Sequence, residues 1–227
     1  MAHEQEKQAA ARRSLAFVQD GYVVGLGTGS TASYAIRLLG ERVRAGLKIH
    51  CIPTSVLSGD LAASLGIPLT TFEEFSQIDV TIDGADEISP ELDLIKGHGG
   101  ALLLEKIVAS VSRRVVIIAD SSKQVPVLGK SFLPVEVVPF AQALLARRIA
   151  AIGALVTLRR DRADKPFVTD EGHHILDCDF GQISDPASLA EELNRMPGVV
   201  EHGLFLKTAD VVLIGKDSEV LEFHRPK

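Results

Sequence analysis

The sequence is poor in the features that would tie it to a metal, a membrane or nucleic acid. Its two cysteines, Cys51 and Cys178, lie far apart and without metal-ligand spacing, so they read as small buried apolar side chains. The seven histidines are scattered. Only His173 and His174 adjoin, and neighbours along a strand face opposite ways, so no structural zinc site is expected. No apolar run reaches the roughly 18 residues of a membrane span, and the opening MAHEQEKQAAARR lacks the apolar stretch of a signal peptide. A cytoplasmic protein with no membrane partner is expected. Basic residues are the minority, 24 against 30 acidic for a net charge of -6. That argues against a nucleic acid partner, which needs a concentrated basic face. Repeats, low-complexity tracts and loose linkers are missing too.

What is there is ample material for a core: 227 residues, 46% of them hydrophobic, enough for a large domain with or without a small one. The pattern predicts a helix over 4–18, a strand over 22–26, a helix to about 43 and a strand over 48–52. It continues with a helix to 65, strands over 78–83 and 94–96, a helix to about 112, and a strand over 115–119. Strand–helix alternation with wholly apolar strands signals an α/β fold, a doubly wound, mostly parallel sheet covered on both faces. After LGKSFLPVEVVP the rhythm changes. Strands are expected over 134–138, 155–158, 166–169, 174–180 and 199–206, with helices over 140–152 and 186–196. These shorter, partly polar strands fit a compact α+β unit. ADVVLIG, 209–215, is apolar again and should rejoin the first sheet. The expected domains are 1–130 plus 208–227, and 131–207.

In open parallel sheets, ligands bind at the carboxyl ends of strands near the point where strand order reverses. The unusual segments follow strands: GTGST, DGAD, KGHGG and DSSK. Gly27–Ala32 fits G-x-G-x-x-G/A, but a dinucleotide site needs an acid about 20 residues on. Ile52, Pro53, Thr54 and Ser55 stand there instead, and no Gly-Lys-Ser/Thr follows for a mononucleotide loop. A turn of bare amides and hydroxyls suited to a single phosphate remains. The plainer alternative is a tight turn with Ser30 as N-cap. Asp83, Gly84, Ala85 and Asp86 suit acid–base work, a structural turn with Asp86 or Glu87 capping a helix, or a magnesium site.

Lys96 follows apolar Leu94 and Ile95, which sets its ammonium at a strand end. Glu105 lies in the next helix, beside an expected buried stripe of Leu104, Ile107, Val108 and Val111. Partial burial would raise its pKa while Lys96 and Lys123 would lower it. That combination keeps a carboxylate ionised yet basic enough to take a carbon-bound proton. An exposed helix glutamate is the alternative. Phosphate donors, lysines and carboxylates without a cofactor motif fit proton movement alpha to a carbonyl on a phosphorylated small molecule.

VGLGTGSTA, TIDGADEI, IKGHGGALLLEKI, ADSSKQV, LPVEVVP, VTDEG and PGVVEHGLF with ADVVLIG resemble, in order and over nearly the whole chain, the A-type ribose-5-phosphate isomerases. The resemblance implies a Rossmann-like domain with a smaller α+β domain, in homodimers or homotetramers. It also implies interconversion of ribose 5-phosphate and ribulose 5-phosphate through an enediolate, without cofactor or metal. It makes Glu105 the base between C1 and C2, and Asp83 the residue that handles hydroxyl protons and ring opening. Asp86 and Lys96 would hold the enediolate, and Thr28, Gly29, Ser30 and Thr31 would form the substrate loop. Lys123, Gly84, Ala85, Gly97, His98 and Gly99 complete the expected contacts. The chain departs from the pattern at His98, where glycine is usual, at Leu104, commonly arginine, and at His173, often asparagine. His98 has three readings: a ring turned to solvent, a ring that crowds the site, or an added donor or proton shuttle. An isomerase for another sugar phosphate and a non-catalytic sugar-phosphate sensor are the competing functions.

Overall fold

The structure is a computed structural model that describes residues 2–217 and 219–226. In chain order the first elements are α1 (Ala2–Ser14), β1 (Val23–Leu26), α2 (Ser30–Arg44), β2 (His50–Pro53), α3 (Val56–Ser64) and β3 (Val80–Asp83). Two short strands follow, β4 (Glu87–Ile88) and β5 (Leu94–Ile95), then α4 (Leu102–Ser110) and β6 (Val115–Asp120). The chain goes on with β7 (Leu133–Val137), α5 (Gln142–Ala151), β8 (Leu155–Leu158), β9 (His174–Asp179) and α6 (Pro186–Asn194). It ends with β10 (Val199–His202), β11 (Leu204–Phe205), β12 (Val211–Lys216) and β13 (Glu219–His224). Among the described residues, no helix is long and apolar enough to cross a membrane.

The chain forms two compact units. One comprises Met1–Ala85, Leu104–Lys123 and Lys207–Lys227; the other comprises Asp86–Leu103 and Gln124–Leu206. By its internal contacts the second unit thus takes in residues 86–103 and 124–130 besides 131–206, where the sequence reading had 131–207.

The first unit is built on a six-stranded sheet in the order β13-β12-β6-β3-β1-β2. β12, β6, β3, β1 and β2 run parallel, and β13 closes the edge as an antiparallel hairpin strand. The parallel strands are largely apolar, with their polar residues mostly at the ends, because both faces are covered. Val24, Leu26, Cys51, Val80, Ile82, Val116, Ile118, Val211 and Leu213 pack with Ala10 and Ala11 of α1 and with Ala35, Ile36 and Leu39 of α2. Alternate residues on the opposite face, Val23 and Ile52, pack with Val108 of α4. β1 has β2 on one side and β3 on the other, so the order reverses at β1/β3, the place where such sheets bind ligands. ADVVLIG rejoins this sheet as β12, as the sequence suggested. β13 was not foreseen, because EVLEFH is a half-exposed edge strand with a weak apolar signal.

The second unit has a four-stranded antiparallel sheet, β10-β7-β9-β8, and a three-stranded one, β11-β5-β4. Leu145 and Ile149 of α5 and Leu193 of α6 bury against Leu133, Val135, Val137, Leu176 and Cys178. The expected strand over 166–169 is reduced to isolated bridges, Arg160 to Pro166 and Val168 to His174. The expected strand over 199–206 breaks at Gly203, whose amide turns to Pro134 O while its carbonyl takes Lys96 N–H. β5 sits in the small antiparallel sheet, so the KGHGG segment does not follow a strand of the parallel sheet, contrary to the sequence expectation.

Helix α1 is anchored through Glu6. Its buried carboxylate accepts Ser121 N–H at 3.0 Å, Ser121 O–H at 2.8 Å and Asp217 N–H at 3.2 Å. The Ser121 amide above all, then the Ser121 hydroxyl, His3 and the Asp217 amide, hold its pKa at about 2, against an ordinary 4.5, despite burial. A depressed carboxylate stabilises the fold above its unfolded pKa, and that contribution disappears as the pH falls towards the folded value. We therefore expect E6Q to lower the Tm at neutral pH. The gap between wild type and E6Q should shrink as the pH is taken from about 4.5 to about 2. Thermal denaturation across that window checks this, and a pH-independent gap would refute it.

Candidate active site

In the first unit the carboxyl ends of three strands are stitched together around one carboxylate. Gly27 N–H donates to Ile82 O at 2.9 Å, which carries the β1–β3 pairing one residue further. Position 27 has no room for a side chain, because a Cβ there would overlap the Asp83 carboxylate and its Cα. Asp83, at the end of β3, is 2% exposed. Its Oδ1 accepts Thr28 N–H at 3.1 Å and Gly84 N–H at 2.7 Å. The Thr28 hydroxyl lies 2.8 Å from that of Thr54 and donates to Ser55 Oγ at 2.7 Å. Ser55 in turn caps α3 in a reciprocal box with Ser58. Thr54 and Ser55 were not singled out from sequence as site residues. Their signal was there, a Thr-Ser pair directly after a strand with a second serine three residues on.

The GTGST turn leads into α2 with Gly29, not Ser30, as the N-cap, at φ 113° and ψ 178° and with no capping side chain. That left-handed φ favours glycine. Ser30 and Thr31 are the first helical residues. An N-terminus with orphan amides and no side-chain cap suits an anion.

Glu105 is 5% exposed in α4. The buried positions are Leu102, Glu105, Val108 and Ala109, while Ile107 is 42% exposed. The expected stripe through Leu104 and Ile107 is therefore displaced, and Glu105 lies at the middle of the buried face, not at its margin. Lys123 is half-buried and ends a single 3-10 turn, Ser121–Lys123, directly after β6.

Of the remaining candidates, Gly84 and Ala85 close a segment of the first unit, and Lys96, Asp86, Gly97, His98 and Gly99 belong to the second. Lys96 follows β5 and is 3% exposed, with its Nζ 5.5 Å from the centre of the Phe205 ring. Asp86, three residues beyond Asp83 in the chain, accepts His98 N–H at 3.0 Å. Gly84 and Ala85 are the half-buried link between the two aspartates, and Gly99 is exposed. Neither Asp86 nor Glu87 caps a helix. Glu87 is buried in β4 and takes the amides of Gly129 at 2.7 Å, Lys130 at 3.3 Å and Ser131 at 2.5 Å, with the Ser131 hydroxyl at 2.6 Å.

The loop's left-handed positions are Gly97 (φ 101°) and Gly100 (φ 85°), and His98 is not among the residues with positive φ. A histidine therefore fits there without backbone strain. The ring is not turned to solvent. It stacks on Phe132 at 4.2 Å and 28°, its Nε2 lies 3.1 Å from Phe132 O, and its Nδ1 lies 3.6 Å from Asp86 Oδ1. His173 has an equally definite place. Its Nδ1 is 3.0 Å from Glu136 Oε1, which also accepts the Thr169 hydroxyl at 2.9 Å. Burial raises the pKa of Glu136, against the pull of those two partners.

Among the described residues His3, Glu6 and Asp120 form a group of three whose ligand atoms lie close enough to hold a metal ion. Its carboxylates are already engaged, Glu6 by Ser121 and Asp120 by the Ser122 amide at 3.0 Å and the Ser122 hydroxyl.

The sequence model of a family described as ribose 5-phosphate isomerase A (phosphoriboisomerase A) matches residues 50–219. The ribose-5-phosphate isomerase A of Parvibaculum lavamentivorans is 50% identical over 223 residues, 96% of each chain. A D-ribose-5-phosphate isomerase solved in complex with phospho-erythronic acid superimposes with a TM-score of 0.96 at 39% identity, covering 99% of this chain and 100% of that one. The ribose 5-phosphate isomerase A of Methanocaldococcus jannaschii gives a TM-score of 0.93 at 42% identity, over 97% and 99%.

The packing of Gly27 against Asp83 can be tested directly. G27A must move the carboxylate off the Thr28 and Gly84 amides, and a misplacement near 1 Å costs about 10²-fold in rate. A folded G27A variant, verified by circular dichroism, should turn over ribose 5-phosphate slower by that order. A variant with wild-type kcat would show that the position of Asp83 is immaterial.

Proposed function

Because the chain belongs to the ribose 5-phosphate isomerase A family, we propose that Glu105 is the base of its aldose–ketose isomerisation. The reaction interconverts D-ribose 5-phosphate and D-ribulose 5-phosphate. In the open-chain aldose, Glu105 would take the proton from C2, and the electron pair would form the C1–C2 double bond as O1 gains charge. Return of that proton to C1, with the O2 proton passed to O1, restores a carbonyl at C2. The observation that carries this reading is a carboxylate only 5% exposed on the helix that opens after the glycine loop. A carboxylate so far out of water has its ionisation governed by the groups around it, as a general base requires.

Asp83, held by two amides, is assigned the hydroxyl protons and ring opening. Asp86 and Lys96 are assigned to the enediolate, with the buried ammonium as a preorganised partner for the developing oxyanion. Thr28, Gly29, Ser30 and Thr31, with Lys123, are assigned to the phosphate, and Gly84, Ala85, Gly97, His98 and Gly99 to the sugar. The ligand named for the structural relative supports this chemistry. Phospho-erythronic acid couples a phosphate to a planar carboxylate, and that carboxylate has the shape and charge of an enediolate. A cytoplasmic homodimer or homotetramer is part of the same proposal. Phe140, Val138 and Leu144 are exposed apolar side chains within one short segment, as interfaces often have.

E105Q should lower kcat by ~10²–10⁴, the usual cost of losing a general base, with substrate affinity largely kept. Steady-state kinetics and isothermal titration check this, and near-wild-type kcat would overturn the assignment. For the phosphate, K123A should raise KM for ribose 5-phosphate several-fold. The already poor turnover of free ribose should be left unchanged. Equal losses on both sugars would count against a phosphate role.

A further inference from the structure

The loop Gly97–Gly99 has one side chain, that of His98, between two glycines, so groups outside it help to fix its peptide planes. Arg159, just after β8, is the group in place to do so. Its Nη1 donates to Gly97 O at 2.9 Å and to His98 O at 3.1 Å. Its Nε and Nη2 donate to the two carboxylate oxygens of Asp177 on β9, at 3.0 and 2.5 Å. A two-pronged pair of this kind fixes the guanidinium in orientation as well as in place. Both side chains are largely withdrawn from water, 11% and 16% exposed. The guanidinium carbon also lies 5.6 Å from the Phe132 ring centre and 5.8 Å from that of Phe167. Phe132 is the ring on which His98 stacks, and Phe167 occupies the space where a Cβ on Gly100 would fall.

The consequence follows from the planarity of the peptide bond. In a trans peptide the C=O and the next N–H point in opposite directions. Fixing Gly97 O aims His98 N–H the other way, and that amide does meet Asp86 Oδ2 at 3.0 Å. Fixing His98 O aims Gly99 N–H away from the guanidinium in the same manner, at an exposed position of the loop. A lysine's ammonium has donors but no planar fork, so it could not hold the two carbonyls and the two carboxylate oxygens in one fixed orientation.

We propose that Arg159, oriented by Asp177, is the positioning residue of this loop, setting Asp86 through His98 N–H and presenting Gly99 N–H to the enediolate oxyanion. The inference rests on the enediolate reading above, in which Asp86 and the loop serve the intermediate. Because the contacts act on charge that develops in the reaction, their loss should appear in kcat.

The test compares R159K and D177N with wild type, using ribose 5-phosphate for kinetics and phospho-erythronic acid for binding. R159K is expected to lose about 10²-fold in kcat, the order associated with a displaced site. KM should stay within about threefold, and affinity for phospho-erythronic acid should fall by at least about tenfold, since a planar anion feels the oxyanion donors most. D177N, which keeps the arginine but loosens its fork, should show the same split with a smaller loss and remains available if R159K does not fold. Added guanidinium at non-denaturing concentration should restore part of the kcat of R159A and should not raise that of wild type. Unchanged kcat per folded molecule in R159K and D177N, with only a lower Tm, would reduce Arg159 to a structural role and overturn the proposal. E105Q measured in parallel separates the two ideas. If E105Q is dead and R159K is normal, this inference alone fails; if E105Q is active, the base assignment fails whatever R159K shows.

Discussion

A carboxylate that accepts backbone amides recurs throughout this molecule, and the working ends of its strands depend on it. Asp83 shows it most plainly. Two N–H groups, from Thr28 and Gly84, converge on one of its oxygens, and Gly27 leaves the space that lets them do so. The bond ties the loop after β1 to the end of β3 across the point where strand order reverses. It also fixes an acid by backbone donors, while the neighbouring hydroxyls of Thr28, Thr54 and Ser55 organise the end of β2. Backbone donors cannot swing away as a lysine can, so the geometry is as firm as the sheet itself.

The same device appears at the opposite ends of the strands and in the other unit. Asp79 accepts Val23 N–H at 2.9 Å, Asp210 accepts Val115 N–H at 2.7 Å and Asp20 accepts Lys48 N–H at 2.7 Å, each beside the start of a parallel strand. Glu6 gathers a helix, a turn and a hairpin; Glu87 gathers four donors from one loop. A net charge of -6 therefore describes more than the surface. Several of these acids are internal fasteners, satisfying amides that would otherwise be buried without partners, at a cost of ~1–3 kcal/mol each.

How much of this was legible in the sequence follows from the range of the forces involved. The parallel sheet was legible because VVGL, VTID, VVIIAD and VVLIG are apolar regardless of what packs on them, and burial on both faces leaves that signature. The loops were legible because glycine, threonine and aspartate have local reasons to end strands. The assignment of β5 to the parallel sheet failed because two residues, Leu94 and Ile95, carry no information about their partner strand; pairing with Leu204 and Phe205 is a contact across more than a hundred residues. The stripe of α4 was set one residue out because Leu102, Leu103 and Leu104 are equivalent in hydrophobicity, and only tertiary packing decides which of them is covered. Arg159 was invisible for a similar reason. Within LRRDRADK it is one charge among several, and its meaning comes from carbonyls some sixty residues earlier in the chain.

His98 shows why a local departure from a family pattern can be absorbed. A glycine is required only where φ is left-handed or where a side chain would collide, and in this loop those positions are 97 and 100. Position 98 lies between them with an ordinary backbone, and its ring finds an aromatic face and a carbonyl. The replacement thus leaves intact the amide that Asp86 needs. The costly residues are elsewhere. Asp83, Lys96 and Glu105 are each at most 5% exposed, and a charge so placed is less favourable than a leucine unless its partners or its chemistry compensate. A chain selected for stability alone would have filled those places with apolar side chains. On the proposed assignment, these three buried ionisable groups are where the fold gives up stability to move a proton.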